Sequence, residues 1–146
     1  MLVSLRVPHY NDIGGLRNLL RSVPDVSGLE VLICDDHSLN FPDIEVHHKR
    51  TVVKIFRNED GNKYAGTARN HALSLAVGEY VYFSDSDDLL ITANFLGVFM
   101  RLQATKADVV YTLLDSDGIK TRYGLPRHDA YNQMLLKVYR DTANRD

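Results

Sequence analysis

Residues 85–88 read Asp-Ser-Asp-Asp and stand one residue, Ser84, beyond the apolar run Tyr80-Val81-Tyr82-Phe83; Asp35-Asp36 likewise follow the apolar stretch 29–34. Ionised carboxylates only accept hydrogen bonds, and as hard oxygen ligands they suit Mg2+ and Mn2+. Such ions are commonly held by one or two carboxylates together with phosphate oxygens. Acidic groups brought to one edge repel one another unless something positive is bound there. An Asp-x-Asp alone reads first as a solvated turn, because Asp and Ser are common turn residues. Its position at the end of an apolar strand makes a cation site worth pursuing.

The elements that would position these groups are legible in the hydrophobic pattern. Residues 2–7 read as a strand, and Leu16, Leu19, Leu20 and Val23 then mark one face of a helix closed by Pro24 and Gly28. Residues 29–34 form a short apolar strand of the kind buried in parallel sheets, and 51–56 a third strand, after a histidine-containing connection with room for a short helix. Ala65, Ala68, Ala72, Leu75 and Ala76 outline a small-residue helix with Gly78 as its stop signal, and 79–84 is a fourth strand. Thr92 is placed to cap a helix with Leu96, Phe99 and Met100 on one face, and 108–114 is a fifth strand. Asp117-Gly118 is a turn signal that would fold 118–124 back as a hairpin. Asp129 is placed to cap a last helix carrying Tyr131, Met134, Leu135 and Val138. This alternation predicts an α/β fold, a three-layer Rossmann-like sandwich with a mainly parallel sheet. Ligands of such sheets sit outside the carboxyl ends of the strands, which is where Pro8, Tyr10, Asn11, Asp35, Asp36, Asn58, Asp85 and Asp87 fall.

Four separated motifs, "VPHYND", "VLICDDHS", "GTARNHAL" and "GEYVYFSDSDD", together resemble the nucleotide-binding half of the family 2 glycosyltransferases with the GT-A fold. The likeness covers about residues 2 to 90. It implies a donor-binding half over 1–90 and a shortened acceptor-side half over 91–146 within a single domain, 1–146. It further implies that Pro8 and Tyr10 line the nucleotide site with Tyr10 on the base, that Asp36 hydrogen-bonds the base, and that Arg69 contacts the base or diphosphate side. Asp85 would lie near the ribose, Asp87 would hold the Mn2+ or Mg2+ bridging the diphosphate, and Asp88 would support it. The activity implied is metal-dependent, inverting transfer from a nucleoside diphosphate sugar, UDP-linked by expectation, to the hydroxyl of a saccharide or glycoconjugate acceptor, as in polysaccharide biosynthesis. Lys63 and Arg69 add positive charge beside the phosphates, and Gly66 permits close backbone approach. For Arg69 a structural ion pair with Asp35 or Asp36 is the competing reading.

An inverting transferase needs a general base, and in the resembled family this is an Asp or Glu after the Asp-x-Asp, often in a Glu-Asp pair. No Glu-Asp pair follows Asp88; Asp115, Asp117 and Asp129 are the candidate carboxylates, and each is also a turn or cap residue. A nucleotide-sugar-binding module without transfer is therefore the alternative. A short acceptor half also leaves room for a homodimer or a partner subunit. Asp85-x-Asp87 is similar as well to the motif of haloacid-dehalogenase phosphatases, but there it opens the fold and continues to Thr or Val where Leu89 stands here. An EF-hand fails because Leu90 occupies its glycine position. His47-His48 reads as a solvated loop, and Tyr123, Tyr131 and Tyr139 as packing residues before acceptor-side platforms.

The totals fit one domain: 146 residues, 45% hydrophobic, with a formal net charge of −2 that lacks the footprint of a nucleic-acid binder. Cys34 is the sole cysteine, which excludes an internal disulfide and reads as a small buried hydrophobe. Arg6 and Pro8 interrupt the N-terminal apolar stretch, which does not fit a secretory signal. The longest uncharged run, 89–100, is too short to span a bilayer. A cytoplasmic protein, membrane-peripheral at most, is the expectation.

Overall fold

The computed structural model describes residues 2–59, 63–102, 104, 109–112 and 133–137, with backbone alone at 93, 94, 109–112 and 133–137. Six strands form one sheet in the order β3-β2-β1-β4-β6-β5. β1 (Val3–His9), β2 (Leu29–Asp35), β3 (Val52–Arg57) and β4 (Tyr80–Phe83) run parallel. β6 (Gln133–Lys137) pairs antiparallel with β4, and β5 (Val109–Thr112) antiparallel with β6. The mainly parallel α/β sheet expected from the alternation is thus present.

β1 and β2 are buried at every position, so both of their faces must be covered, and strand alternation assigns the covers. Val3, Leu5, Val7, Leu29, Val31 and Ile33 share one core cluster with Leu16, Leu19 and Leu20 of α1 (Ile13–Ser22) and Phe95, Phe99 and Leu102 of α3 (Thr92–Leu102). Leu32, Cys34 and Val81 pack on the other face against Ala68 and Ala72 of α2 (Ala65–Leu75). Alanine is what lets α2 lie close to the sheet, and it is also why that helix shows little apolar stripe of its own.

Several expectations are corrected. Residues 133–137 are a strand, not part of a helix begun at Asp129: a short apolar run such as Met134-Leu135-Leu136 fits either periodicity, and the free edge of β4 takes it as a partner. β5 accordingly pairs with β6, while 118–124, the predicted hairpin arm, lie outside the described residues. α3 buries Phe95, Phe99 and Leu102 and leaves Met100 exposed, so its inner face is rotated from the Leu96-Phe99-Met100 reading. Thr92 is its first residue, and its hydroxyl donates to the Ser22 carbonyl at 2.8 Å instead of capping the helix. The connection 36–51 contains no helix. α1 ends at Ser22, and Gly28 serves the entry to β2 with φ +90°.

Gly78 does not stop α2, which ends at Leu75; it lets the chain pass against β1. Its N–H donates to Ser4 Oγ at 2.8 Å, the Ser4 hydroxyl donates to Glu30 Oε1 at 2.5 Å, and Val77 N–H donates to the same oxygen at 2.7 Å. A Cβ at Gly78 would fall 2.6 Å from Ser4 N and 2.8 Å from the Val3 carbonyl carbon. Those atoms belong to a buried central strand and cannot move cheaply. Gly78→Ala is therefore expected to cost about 1–3 kcal/mol or more, read as a lowered urea midpoint at unchanged m-value.

Candidate functional site

Because β1 to β4 are parallel, their carboxyl ends meet at one edge. Pro8 and His9 close β1, with Tyr10 after them; Asp35 closes β2, followed by Asp36; Asn58 follows β3, and Ser84 to Asp88 follow β4. A cleft of about 570 Å3 opens there, lined by Pro8, His9, Tyr10, Asp36, Lys63, Ala65, Arg69, Asp85 and Ser86. Pro8, Tyr10, Asp36, Arg69 and Asp85, the residues singled out for donor binding, all line this one cleft. Tyr10 offers a half-exposed ring. Asp115, Asp117 and Asp129 lie outside the described residues, as do Tyr123, Tyr131 and Tyr139.

The acidic groups at this edge are largely balanced by the protein itself, which corrects the expectation that only a bound ion would relieve them. Asp35 is fully buried: its Oδ1 is 3.1 Å from His9 Nδ1, and its Oδ2 accepts from Ser38 N–H at 3.2 Å and lies 3.5 Å from Arg57 Nη2. Asp36 accepts from Asn58 Nδ2 at 3.0 Å, and its own N–H donates to the His9 carbonyl at 2.7 Å. Asp85 is paired with Arg69. Arg69 thus bonds Asp85 and not the Asp35-Asp36 pair named as the alternative.

Asp87 differs from its neighbours. It is exposed and has no hydrogen-bond or ion-pair partner among the described residues. Asp88 has turned back: its Oδ2 accepts from Asp85 N–H at 2.7 Å and from the Ser84 hydroxyl at 3.1 Å, closing the turn that presents Asp85 and Asp87. The N-terminus of α1 packs under that turn, where Asp12 accepts from Gly15 N–H at 2.9 Å and a Cβ on Gly15 would meet the Ser86 carbonyl oxygen at 3.0 Å.

Beneath the cleft lies Arg6, which the sequence reading treated only as a charge interrupting a strand. It is almost wholly buried, its guanidinium sits 3.8 Å from the centre of the Phe83 ring, and Nη1 donates to the Arg69 carbonyl at 2.5 Å. Burial, and then the charge of Arg69, lower its pKa to about 10, so it remains a cation at neutral pH. Arg6 thereby ties α2 to the sheet at the residue that supplies Arg69. His9 and Ser38 were also missed. The available signal was position: His9 continues the inward alternation Val3, Leu5, Val7, so a polar side chain there needed a buried partner.

Cys34 behaves as read. It is buried, and burial, followed by the charges of Asp36 and Asp35, pushes its thiol up to about 12. With so little thiolate, the folded protein is expected to leave Ellman's reagent unreacted, with one thiol appearing only on addition of denaturant.

Among the described residues no three His, Cys, Asp or Glu side chains gather into a metal cage. The arrangement instead suits an ion held by one or two carboxylates and completed by phosphate oxygens.

The family model for glycosyl transferase family 2 matches residues 4–145. The chain belongs to that family. This domain is 30% identical over 142 residues to the UDP-Glc:alpha-D-GlcNAc-diphosphoundecaprenol beta-1,3-glucosyltransferase WfgD of Escherichia coli, covering 92% of this chain and 55% of that protein. It is 29% identical to the poly(ribitol-phosphate) beta-N-acetylglucosaminyltransferase TarS of Staphylococcus aureus, covering 87% of this chain but 23% of TarS. A crystal structure of S. aureus TarS in complex with UDP-GlcNAc superposes with a TM-score of 0.68 at 29% identity, over 87% of this chain and 37% of that one. The mannosyltransferase PcManGT from Pyrobaculum calidifontis, in complex with GDP-Man and Mn2+, superposes with a TM-score of 0.59 at 21% identity and shows the shared fold. The family 2 domain is therefore GT-A-like, as its motifs implied, and it spans about half the length of WfgD and 23% of TarS. No described helix is long and apolar enough to cross a membrane.

Proposed function

We propose that this family 2 domain binds a UDP-linked sugar in the carboxyl-edge cleft and transfers the sugar to a hydroxyl of a saccharide or glycoconjugate acceptor, with inversion. The observation that carries the reading is the meeting of Tyr10, Asp36, Arg69 and Asp85 on one cleft of about 570 Å3, a volume in the range of small-molecule sites. A relative named as a UDP-Glc-dependent transferase and a neighbour crystallised with UDP-GlcNAc support UDP as the carrier. The donor side is carried by residues 1–90.

Each side chain has a task that its chemistry fits. The Tyr10 ring offers an apolar face for the base, and Asp36, oriented by Asn58, accepts a hydrogen bond from a base N–H. Arg69 and Lys63 face the diphosphate with positive charge. Asp87, with Asp85 beside it, is the group that would hold Mn2+ or Mg2+. When bound, that ion supplies Lewis-acid stabilisation of the charge growing on the departing diphosphate. Donor binding requires the Arg69–Asp85 pair to be shared or parted, and at a partly exposed site such a pair is easily exchanged.

The haloacid-dehalogenase reading finds no support, since the family match covers nearly the whole chain. Transfer itself is tested by measuring UDP release from UDP-glucose and UDP-GlcNAc with Mn2+, with and without sugar acceptors. Acceptor-stimulated release is expected. Binding of the donor with no release under any acceptor would reduce the domain to a nucleotide-sugar-binding module.

A further inference from the structure

A second concavity, of about 520 Å3, lies between α1 and the connection that follows β2, and it shares no lining residue with the carboxyl-edge cleft. Arg17 and Arg21 from the helix and His47 and His48 from the connection line it, over apolar Leu20 and Ile44. Four residues apart on α1, the two arginines rise from one side of the helix, with Cβ atoms about 5–6 Å apart. Both are exposed. Arg17 has no partner among the described residues, and Arg21 makes only a 3.5 Å approach to Asn18 Oδ1.

Two acids also line the groove, and neither neutralises these guanidiniums. Asp25 Oδ1 accepts from the N–H groups of Lys49, Arg50 and Thr51 at 3.1, 2.7 and 2.9 Å, and its Oδ2 faces Arg50 Nε at 3.8 Å. Those amide bonds hold its pKa below the usual carboxylate range. Glu45 is exposed and lies 3.8 Å from His47 Nδ1. On the same wall His48 Nε2 is 3.0 Å from the Val23 carbonyl, which can only accept, so Nε2 carries the hydrogen; Nδ1 is buried without a partner. In the neutral ring that Nδ1 is an acceptor, so it is completed by a donor such as an ordered water or a hydroxyl of a ligand, and the anion itself is met by the arginines.

We propose that this groove is a binding site for a phosphate-bearing anion, clamped by Arg17 and Arg21. Planar guanidinium forks match phosphate oxygens two at a time, and the Leu20–Ile44 floor accepts the organic part of such a ligand. The phosphate comes either from a free solute or from the headgroup of an anionic lipid. The site stands independently of the donor cleft, so a protein that failed to bind UDP would leave it intact.

The test compares the wild type with Arg17→Gln/Arg21→Gln. Both arginines are exposed, so the double variant should fold and bind UDP as the wild type does. In one arm, pyrophosphate is titrated into 15N-labelled protein while the arginine Nε–H signals and the amides of residues 45–51 are followed. In the other, protein is co-sedimented with phosphatidylglycerol vesicles and with phosphatidylcholine vesicles. Saturable shifts at this groove that weaken by about tenfold or more in the double variant support the site with a free phosphate ligand. Pelleting with phosphatidylglycerol alone, lost in the double variant, supports it with a lipid headgroup. No response in either arm, or a response undiminished in the double variant, overturns it.

Discussion

In Asp87→Ala, UDP binding in the presence of Mn2+ falls by at least ~100-fold, to the level that the wild type shows in EDTA, a loss exceeding the 10–100-fold typical of a group one shell removed from a metal. The fold is unaffected, because Asp87 is exposed and has no partner among the described residues; the unfolding free energy from urea titration should stay within the ~0.5 kcal/mol typical of a surface substitution. Calorimetric titration of both proteins, with and without EDTA, reads the result. Unchanged affinity would remove Asp87 from any metal site. Asp88→Ala separates the two roles at this turn: it deprives Asp85 N–H and the Ser84 hydroxyl of their acceptor, so stability and donor binding fall together.

The second large effect is on stability. Asp35→Ala is expected to cost about 3–5 kcal/mol, the range for removing one member of a buried charged or hydrogen-bonded set and stranding the others. His9 Nδ1, Ser38 N–H and Arg57 lose their shared acceptor at once. The loss also reaches the cleft. Ser38 Oγ accepts from Asn11 N–H at 2.8 Å, and Asn11, held at φ +51°, accepts from Leu39 N–H at 2.9 Å, so the segments carrying Tyr10 and Asp36 are pinned to one another through this set. Urea unfolding of Asp35→Ala beside Asp35→Asn measures it. The amide keeps an acceptor oxygen and should recover part of the loss. A change below about 1 kcal/mol in the alanine variant would show that water replaces the lost acceptor and that the set contributes little net stability.

How much of this was legible in the sequence depended on what each residue type can do alone. β1 to β4 were readable because buried parallel strands leave continuous apolar runs, and α1 because its apolar face repeats at helical spacing; the carboxyl-edge rule then gathered Tyr10, Asp36 and Asp85, whereas Arg69, on α2, was named only by the family resemblance. What failed depended on tertiary partners. The run at 133–137 could follow either period, and only the open edge of β4 decided for a strand. Gly78 carried the usual meaning of a helix stop, whereas its use is the close passage against Ser4. The charge balance at the edge was not readable either. The Asp35 set draws on β1, β2, β3 and the loop after β2, and Arg69 reaches Asp85 from another element, so nothing in the sequence order told Asp85 from Asp35 or Asp36 as its partner. Residue type named the chemistry, and packing chose which carboxylate was left free.

The most direct measurement is calorimetric titration of UDP into the purified protein with Mn2+, repeated with EDTA and with GDP and CDP in place of UDP. The account predicts saturable binding of UDP that requires the metal, with GDP and CDP markedly weaker. Absence of binding by any of the nucleotides, or binding indifferent to both base and metal, would contradict it.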